Sequence, residues 1–414
     1  MFEIVLPLLE VLGLGLPAIW LLTANLPAND RTQLRKLVLI GLALRLTLAT
    51  AFVLFPSLRL FHEDATGYEV TAATVARGWE GVGPPVLLPP FQWDHYPGFL
   101  VFCSALIYLF GHCQLILSAF SALFGSLAII FIYRIGACLF QPLVAYRAAQ
   151  LTAFFPSMVL WSAMAIKDPL MIFLLSVGIH AILLLRERPR LIDGTVLVLT
   201  IAAIWTIRFY VVYFLLAALI SALLFSGKQR QGFGRRLLVV GWIVGALIAS
   251  GLLRHVSSTY DEISLQSVSD FRHGMAITAH SGFAHDADLS TTGRAVTFLP
   301  YGLAMLLLGP LPWDMRSLRA VLTLPEMLLW WSLLPTLYRG LRFALTKESR
   351  QVLPLVVFTA TLAVGYSFSL GNVGAAFRQR GQIFVFLFLF VALGFFVRRC
   401  QQRGIDPNLL RAST

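Results

Sequence analysis

From Phe155 to Arg190 the chain reads FPSMVLWSAMAIKDPLMIFLLSVGIHAILLLRERPR. Two apolar runs are interrupted once, by Lys167 and Asp168 standing side by side before Pro169. The second run approaches the roughly 20 residues that a helix needs to cross a bilayer, and it ends on Arg186, Arg188 and Arg190. Apolar runs that alternate with short basic loops are the pattern of a helical protein threaded repeatedly through a membrane. The ion pair between the runs is then a charge placed at the membrane boundary, and it asks for a reason.

The rest of the chain repeats this pattern. Of 414 residues, 58% are hydrophobic and only 13% charged, where a soluble domain carries about 25% charged residues. Apolar stretches recur along the whole length, and the ten-residue alternation of an outer-membrane barrel is absent. The reading is all-α and polytopic. The net charge of +12 sits in short loops between apolar runs, as the positive-inside rule requires, and forms no basic face with interleaved aromatics that would read as nucleic-acid binding. The cysteines Cys103, Cys113, Cys138 and Cys400 have neither zinc-ligand nor disulfide-scaffold spacing. The first apolar stretch has no basic n-region and reads as a retained helix.

Placing the basic loops in the cytoplasm predicts about eleven crossings: 4–23, 37–57, 114–133, 145–161, 169–185, 194–207, 209–226, 237–253, 322–338, 352–370 and 382–397. Stretches 98–112 and 298–311 would invert the following loops if they crossed, so both read as interfacial or re-entrant helices on the outer face. The pair 194–226 crosses twice with Arg208 at its outer turn. The chain divides into an extra N-terminal helix and basic loop (1–36), a main module (37–253) with outer loops 59–96 and 162–168, an outer loop with a re-entrant helix (254–321), and C-terminal helices with a basic tail (322–414).

This threading collects charges on the outer face. His62, Glu63 and Asp64 lie where the second helix emerges; Lys167 and Asp168 occupy a short outer loop; Arg208, Arg378 and Arg380 lie on the same side. Carboxylates beside fixed cations suit a nucleophile that must lose a proton and an anionic leaving group. Nucleotide sugars are absent outside the cytoplasm, whereas a polyprenyl-phosphate sugar offers a membrane anchor and a phosphate for arginine and lysine. Each residue also has a plainer reading. Asp168 before Pro169 fits a helix N-cap, and Arg378 and Arg380 fit headgroup anchors. Arg45 fits a side chain that snorkels or pairs internally. His280, His285, Asp286 and Asp288 are metal-compatible types without metal-site spacing. Trp313, Trp330 and Trp331 fit an interfacial belt.

HEDATGYEVTAATVARGWEG (62–81) resembles the first outer loop of GT-C superfamily glycosyltransferases, with its acidic residue leaving the membrane ahead of an amphipathic helix. The stretch from Tyr96 to Phe140 looks like that family's juxtamembrane helix, Leu-Phe-Gly turn and following span. FFPSMVLWSAMAIKDPLMIFLL (154–175) is similar to its second outer loop, and LLGPLPWDM (307–315) and AFRQRGQ (376–382) look like bacterial exopolysaccharide-type members. The resemblance is best over about 40–190. It implies Asp64 as catalytic base with Glu63 as a neighbour able to share the role, and Asp168 as an acidic landmark that positions substrate or binds a divalent cation if one is used. It implies Lys167, Arg208, Arg378 and Arg380 for the lipid phosphate, with His62, Tyr68 and Trp93 at the substrate. The extra N-terminal helix and the lack of a large soluble C-terminal domain depart from the family pattern.

The implied function is transfer of a sugar, with inversion, from a polyprenyl-phosphate donor to a glycan, lipid or protein acceptor hydroxyl at the outer face of the inner (cell) membrane. No metal is required by any motif, and no cofactor is indicated beyond that optional cation. A polysaccharide polymerase or ligase using a lipid diphosphate is the alternative. A transporter is a third class, which would place its ionisable residues near the midplane between inverted repeats.

Overall fold

The structure, a computed structural model, describes residues 2–59, 63–82, 97–111, 114–225, 240–243, 245, 264–279, 281–314 and 318–405. It is all-helical among those residues, with one isolated β-bridge between Gly282 and Asn372. The helices are α1 (Phe2–Thr23), α2 (Ala28–Leu54), α3 (Glu63–Trp79), α4 (Gly98–Phe110), α5 (Gln114–Leu139), α6 (Pro142–Phe154), α7 (Pro156–Ser162) and α8 (Lys167–Glu187). They continue with α9 (Leu191–Leu224), α10 (Leu265–Thr278), α11 (Thr292–Leu308), α12 (Leu318–Leu322), α13 (Leu324–Lys347), α14 (Ser349–Ser369), α15 (Val373–Gln379) and α16 (Gly381–Gln402).

Among the described residues seven helices are long and apolar enough to span a membrane, or eight if the bent pair α6–α7 is one span. This differs from the eleven crossings expected, for three reasons. Most of 237–253 lies outside the described residues. Helix α13 carries Glu326, Arg339, Arg342 and Lys347 and falls short of the apolarity of a span. The stretches 194–207 and 209–226 are the two limbs of α9, broken at Arg208 as expected, and together make one of the seven. Helices α4 and α11 are the short apolar helices expected at 98–112 and 298–311.

Two compact units emerge: Met1–Val177 with Ala202–Val212 and Ala392–Thr414, and Gly178–Ile201 with Tyr213–Val391. In the first, α5 is apolar on every side and 94% of its most apolar window is buried, as a helix hydrophobic all round must be. It is packed by α1, α2, α4, α6 and α7. In the second, α14 is packed by α10, α11 and α13.

The bend of 55° between α6 and α7 has a sequence cause. Pro156 has no N–H to give to the carbonyl of Thr152, and the extended Phe155 takes the next carbonyl out of register. Arg45, fully buried in α2, supplies the missing donors: its Nη2 donates to Thr152 O at 3.1 Å and its Nη1 to Ala153 O at 3.0 Å. The same Nη1 donates to Gly41 O. Arg45 therefore pairs internally and does not snorkel. A charge inside a helical membrane protein costs least where it serves freed backbone.

Helix α9 is broken at Arg208, whose backbone is extended (φ −153°, ψ 81°). The break reverses the chain. A Cβ on Gly178 of α8 would lie 3.0 Å from Leu215 and 3.3 Å from Thr200, residues about 22 Å apart along an unbroken helix. The two limbs of α9 therefore lie side by side against α8, with Arg208 at the tip.

Candidate active site

Arg208 at that tip forms an ion pair with Asp168 at 3.0 Å, and both side chains are almost fully buried, at 3% and 1% exposure. Asp168 is not in a loop. Helix α8 starts at Lys167, which puts Asp168 and Pro169 in its first turn, where a carboxylate also meets the positive end of the helix dipole. Lys167 beside it is half-buried. A buried ion pair adds little net stability because each partner gives up its hydration, yet removal of one partner costs about 3–5 kcal/mol. Its contribution is to hold a defined geometry.

Glu63 and Asp64 occupy the first turn of α3 and are exposed. The helix buries Ala65, Ala72, Ala73, Val75 and Ala76, small residues that allow close packing on α4. Tyr68, one turn beyond Asp64 and so on the same side of the helix, meets Phe99 of α4 edge-on, with centroids 4.9 Å apart. The adjacent Gly98 abuts Thr206, and a Cβ there would lie 2.6 Å from its carbonyl oxygen. Thr206 is two residues before Arg208. A continuous run of contacts thus leads from the acidic turn of α3, through the start of α4, to the Arg208 tip and Asp168 at the start of α8. All these residues belong to the first unit. His62 and Trp93 lie outside the described residues.

Arg378 and Arg380 belong to the second unit. Arg378 is half-buried near the end of α15. Arg380, expected at the outer surface to hold a phosphate, is fully buried instead. It donates to Glu326 Oε1 at 3.0 Å, to Gly309 O and to Met327 Sδ, and its guanidinium lies 3.9 Å from the Phe377 ring centroid and 4.9 Å from that of Phe384. Burial pushes it down to about 10, against the opposing pull of Glu326, so it stays charged at neutral pH. The pair works as an internal tie. Glu326 was missed in the sequence; the available signal was a lone carboxylate at the head of the run LPEMLLWW.

Trp330 is likewise not a belt residue. It is buried, stacked on Phe384 at 4.0 Å, with its indole N–H donating to Leu307 O at 2.8 Å. Trp313 is exposed at 70%.

The loop before α11 is organised by protein groups. Arg272 donates to Phe283 O and Ala284 O at 3.0 Å each, and Asp288 accepts from Ser290 N at 2.8 Å and pairs with Arg294. These contacts, the Ser290 bonds foremost, hold the Asp288 carboxyl below the usual range. No group of three His, Cys, Asp or Glu able to hold a metal occurs among the described residues, and His280 lies outside them.

Residues 94–254 match the family model of dolichyl-phosphate-mannose-protein mannosyltransferase, a GT-C family. The matched span takes in Lys167, Asp168 and Arg208; Glu63, Asp64, Arg378 and Arg380 lie outside it. The chain is also similar to a solved structure, the archaeal oligosaccharyltransferase AglB from Archaeoglobus fulgidus in complex with an inhibitory peptide and a dolichol-phosphate. Identity is 14% and the TM-score 0.47, over 91% of this chain and 52% of that one. The chain thus spans about half the length of AglB. No curated protein matches it.

Proposed function

We propose that this chain is an integral membrane glycosyltransferase that moves a sugar from a polyprenyl-phosphate donor to an acceptor hydroxyl at the outer face, with inversion. The observation that carries the reading is the GT-C family match over 94–254, which contains the buried Asp168–Arg208 pair. Asp64, exposed in the first turn of α3, takes the proton from the acceptor hydroxyl. The freed oxygen attacks the anomeric carbon from the face opposite the phosphate. The bond from that carbon to the phosphate oxygen breaks, and its electron pair leaves with the polyprenyl phosphate. Glu63 sits beside the base and shares its electrostatic setting.

Lys167, half-buried in the first turn of α8, is the cation for the developing phosphate charge. Fixed charges aimed at a leaving group are among the largest contributions to catalysis. Asp168 and Arg208 act as positioning residues, each fixing the other and through α8 the place of Lys167. Tyr68 lines the approach to Asp64.

The test uses the full chain in nanodiscs with a panel of polyprenyl-phosphate sugars, with and without a chelator. Sugar release or transfer that Asp64→Asn lowers by about 10²–10⁴-fold, at unchanged melting temperature, is the expected outcome. Full activity in a folded Asp64→Asn protein would remove Asp64 from the base role. Consumption of a lipid-diphosphate oligosaccharide, with every monophosphate donor inert, would replace the reading with a polymerase or ligase.

A further inference from the structure

At the far end of the first unit lies a cavity of about 390 Å³, formed where the turn between α5 and α6 meets the end of α16. It is lined by Arg399, Arg403, Gln141, Leu143, Phe396 and Ile405, with Cys400 at its wall. Arg399 and Arg403 are four residues apart, so they rise from one side of the α16 terminus. Both are exposed, and among the described residues neither is salt-bridged to a carboxylate. Gln141 stands at the N-cap of α6 but makes no capping bond there. The lining therefore combines two cations and an amide with an apolar wall, and among the described residues it contains no acid.

Position adds to this. Helix α5 is 26 residues long, about 39 Å, close to the thickness of a bilayer with its headgroups. The cavity is at its C-terminal end, whereas Phe102 and Phe110 of α4 pack on Phe120 near its N-terminal end. Arg399 and Arg403 thus stand at headgroup depth in the leaflet opposite α4.

We infer that this cavity binds the phosphate of an anionic phospholipid headgroup, with Arg399 and Arg403 on the phosphate oxygens, Gln141 as an added donor, and Phe396 and Leu143 against the acyl chains. Basic pockets between membrane helices hold anionic headgroups in this way. The inference is independent of the glycosyl-transfer reading and concerns the opposite end of the unit.

Full-length protein is placed in nanodiscs of phosphatidylcholine containing a minor fraction of phosphatidylglycerol, and the phosphatidylglycerol retained through transfer to detergent is counted by native mass spectrometry. Retention of one molecule, reduced roughly 10–30-fold by R399Q/R403Q and kept by R399K/R403K, is the expected result. R398Q removes one positive charge, against two in R399Q/R403Q, from an exposed neighbour outside the cavity and is expected to leave retention unchanged. Equal loss in R398Q would overturn the site in favour of diffuse surface charge. Displacement of the lipid by millimolar inorganic phosphate would overturn the lipid as occupant in favour of a soluble anion.

Discussion

Asp168 and Arg208 are 40 positions apart in sequence, yet they form one buried unit, and their energetics follow from that. Asp168→Ala leaves a guanidinium without its counter-charge in a site of 3% exposure, and a loss of about 3–5 kcal/mol is expected. Replacement of both residues by apolar ones, as Asp168→Leu with Arg208→Met, recovers most of that loss, because no charge is then left buried. Chemical unfolding of the single and double variants in detergent measures the difference. A double variant as unstable as the sum of the singles would show that the two residues act separately. Arg380 follows the same logic with Glu326, and it marks where sequence reading goes astray. Both arginines in AFRQRGQ look alike on paper, but Arg380 is fully buried with a carboxylate 54 positions upstream folded onto it, whereas Arg378 is half-buried. Residue type announces a charge; its partner is decided by tertiary packing.

Among the helices, α5 and α8 follow directly from apolar runs of spanning length closed by bases, and α3 from acids followed by small residues at helical spacing. The α6–α7 bend was not foreseen as such, although Pro156 marks it. The assignment of Arg45 to that bend was less accessible still, because backbone carbonyls have no letter in the sequence. Removal of Arg45 as Arg45→Met orphans the carbonyls of Thr152 and Ala153, at an expected cost of about 2–4 kcal/mol. Pro156→Ala returns an N–H to Thr152, so Arg45→Met is expected to cost at least about 1 kcal/mol less in that background. A thermal-unfolding cycle over the four proteins reads the coupling; zero coupling would deny that Arg45 serves the bend. The reversal at Arg208 belongs to this scale as well. One extended residue between two apolar limbs leaves no polar loop to announce the turn, and the arginine is its only mark.

For the molecule as a whole, the ends of the first unit differ in charge chemistry: acids and a lysine beside α3, α4 and the start of α8, and exposed arginines at the end of α16. If these ends face opposite sides of the membrane, a cysteine at Thr71 on the exposed side of α3 and one at Arg398 must react from opposite sides. In a background without native cysteines, an impermeant maleimide added to intact cells is expected to label Thr71→Cys, and Arg398→Cys only after permeabilisation. Labelling of both from the outside would refute the threading.

The bond between Arg45 and Thr152 also has a clock. Its two residues are 107 positions apart, and synthesis runs at about 5–20 residues per second, so α2 is made about 5–20 s before its arginine has an acceptor to meet. During that interval an unneutralised guanidinium at the centre of a helix opposes insertion by about 2.5–3.5 kcal/mol. Nascent chains arrested soon after residue 140 are therefore expected to hold α2 loosely, with alkali extracting it, while Arg45→Leu anchors it at once. Chains arrested after α7 has emerged are expected to hold it firmly with the arginine in place. The second helix to leave the ribosome is thus among the last to settle, and its order of arrival in the bilayer is not its order of synthesis.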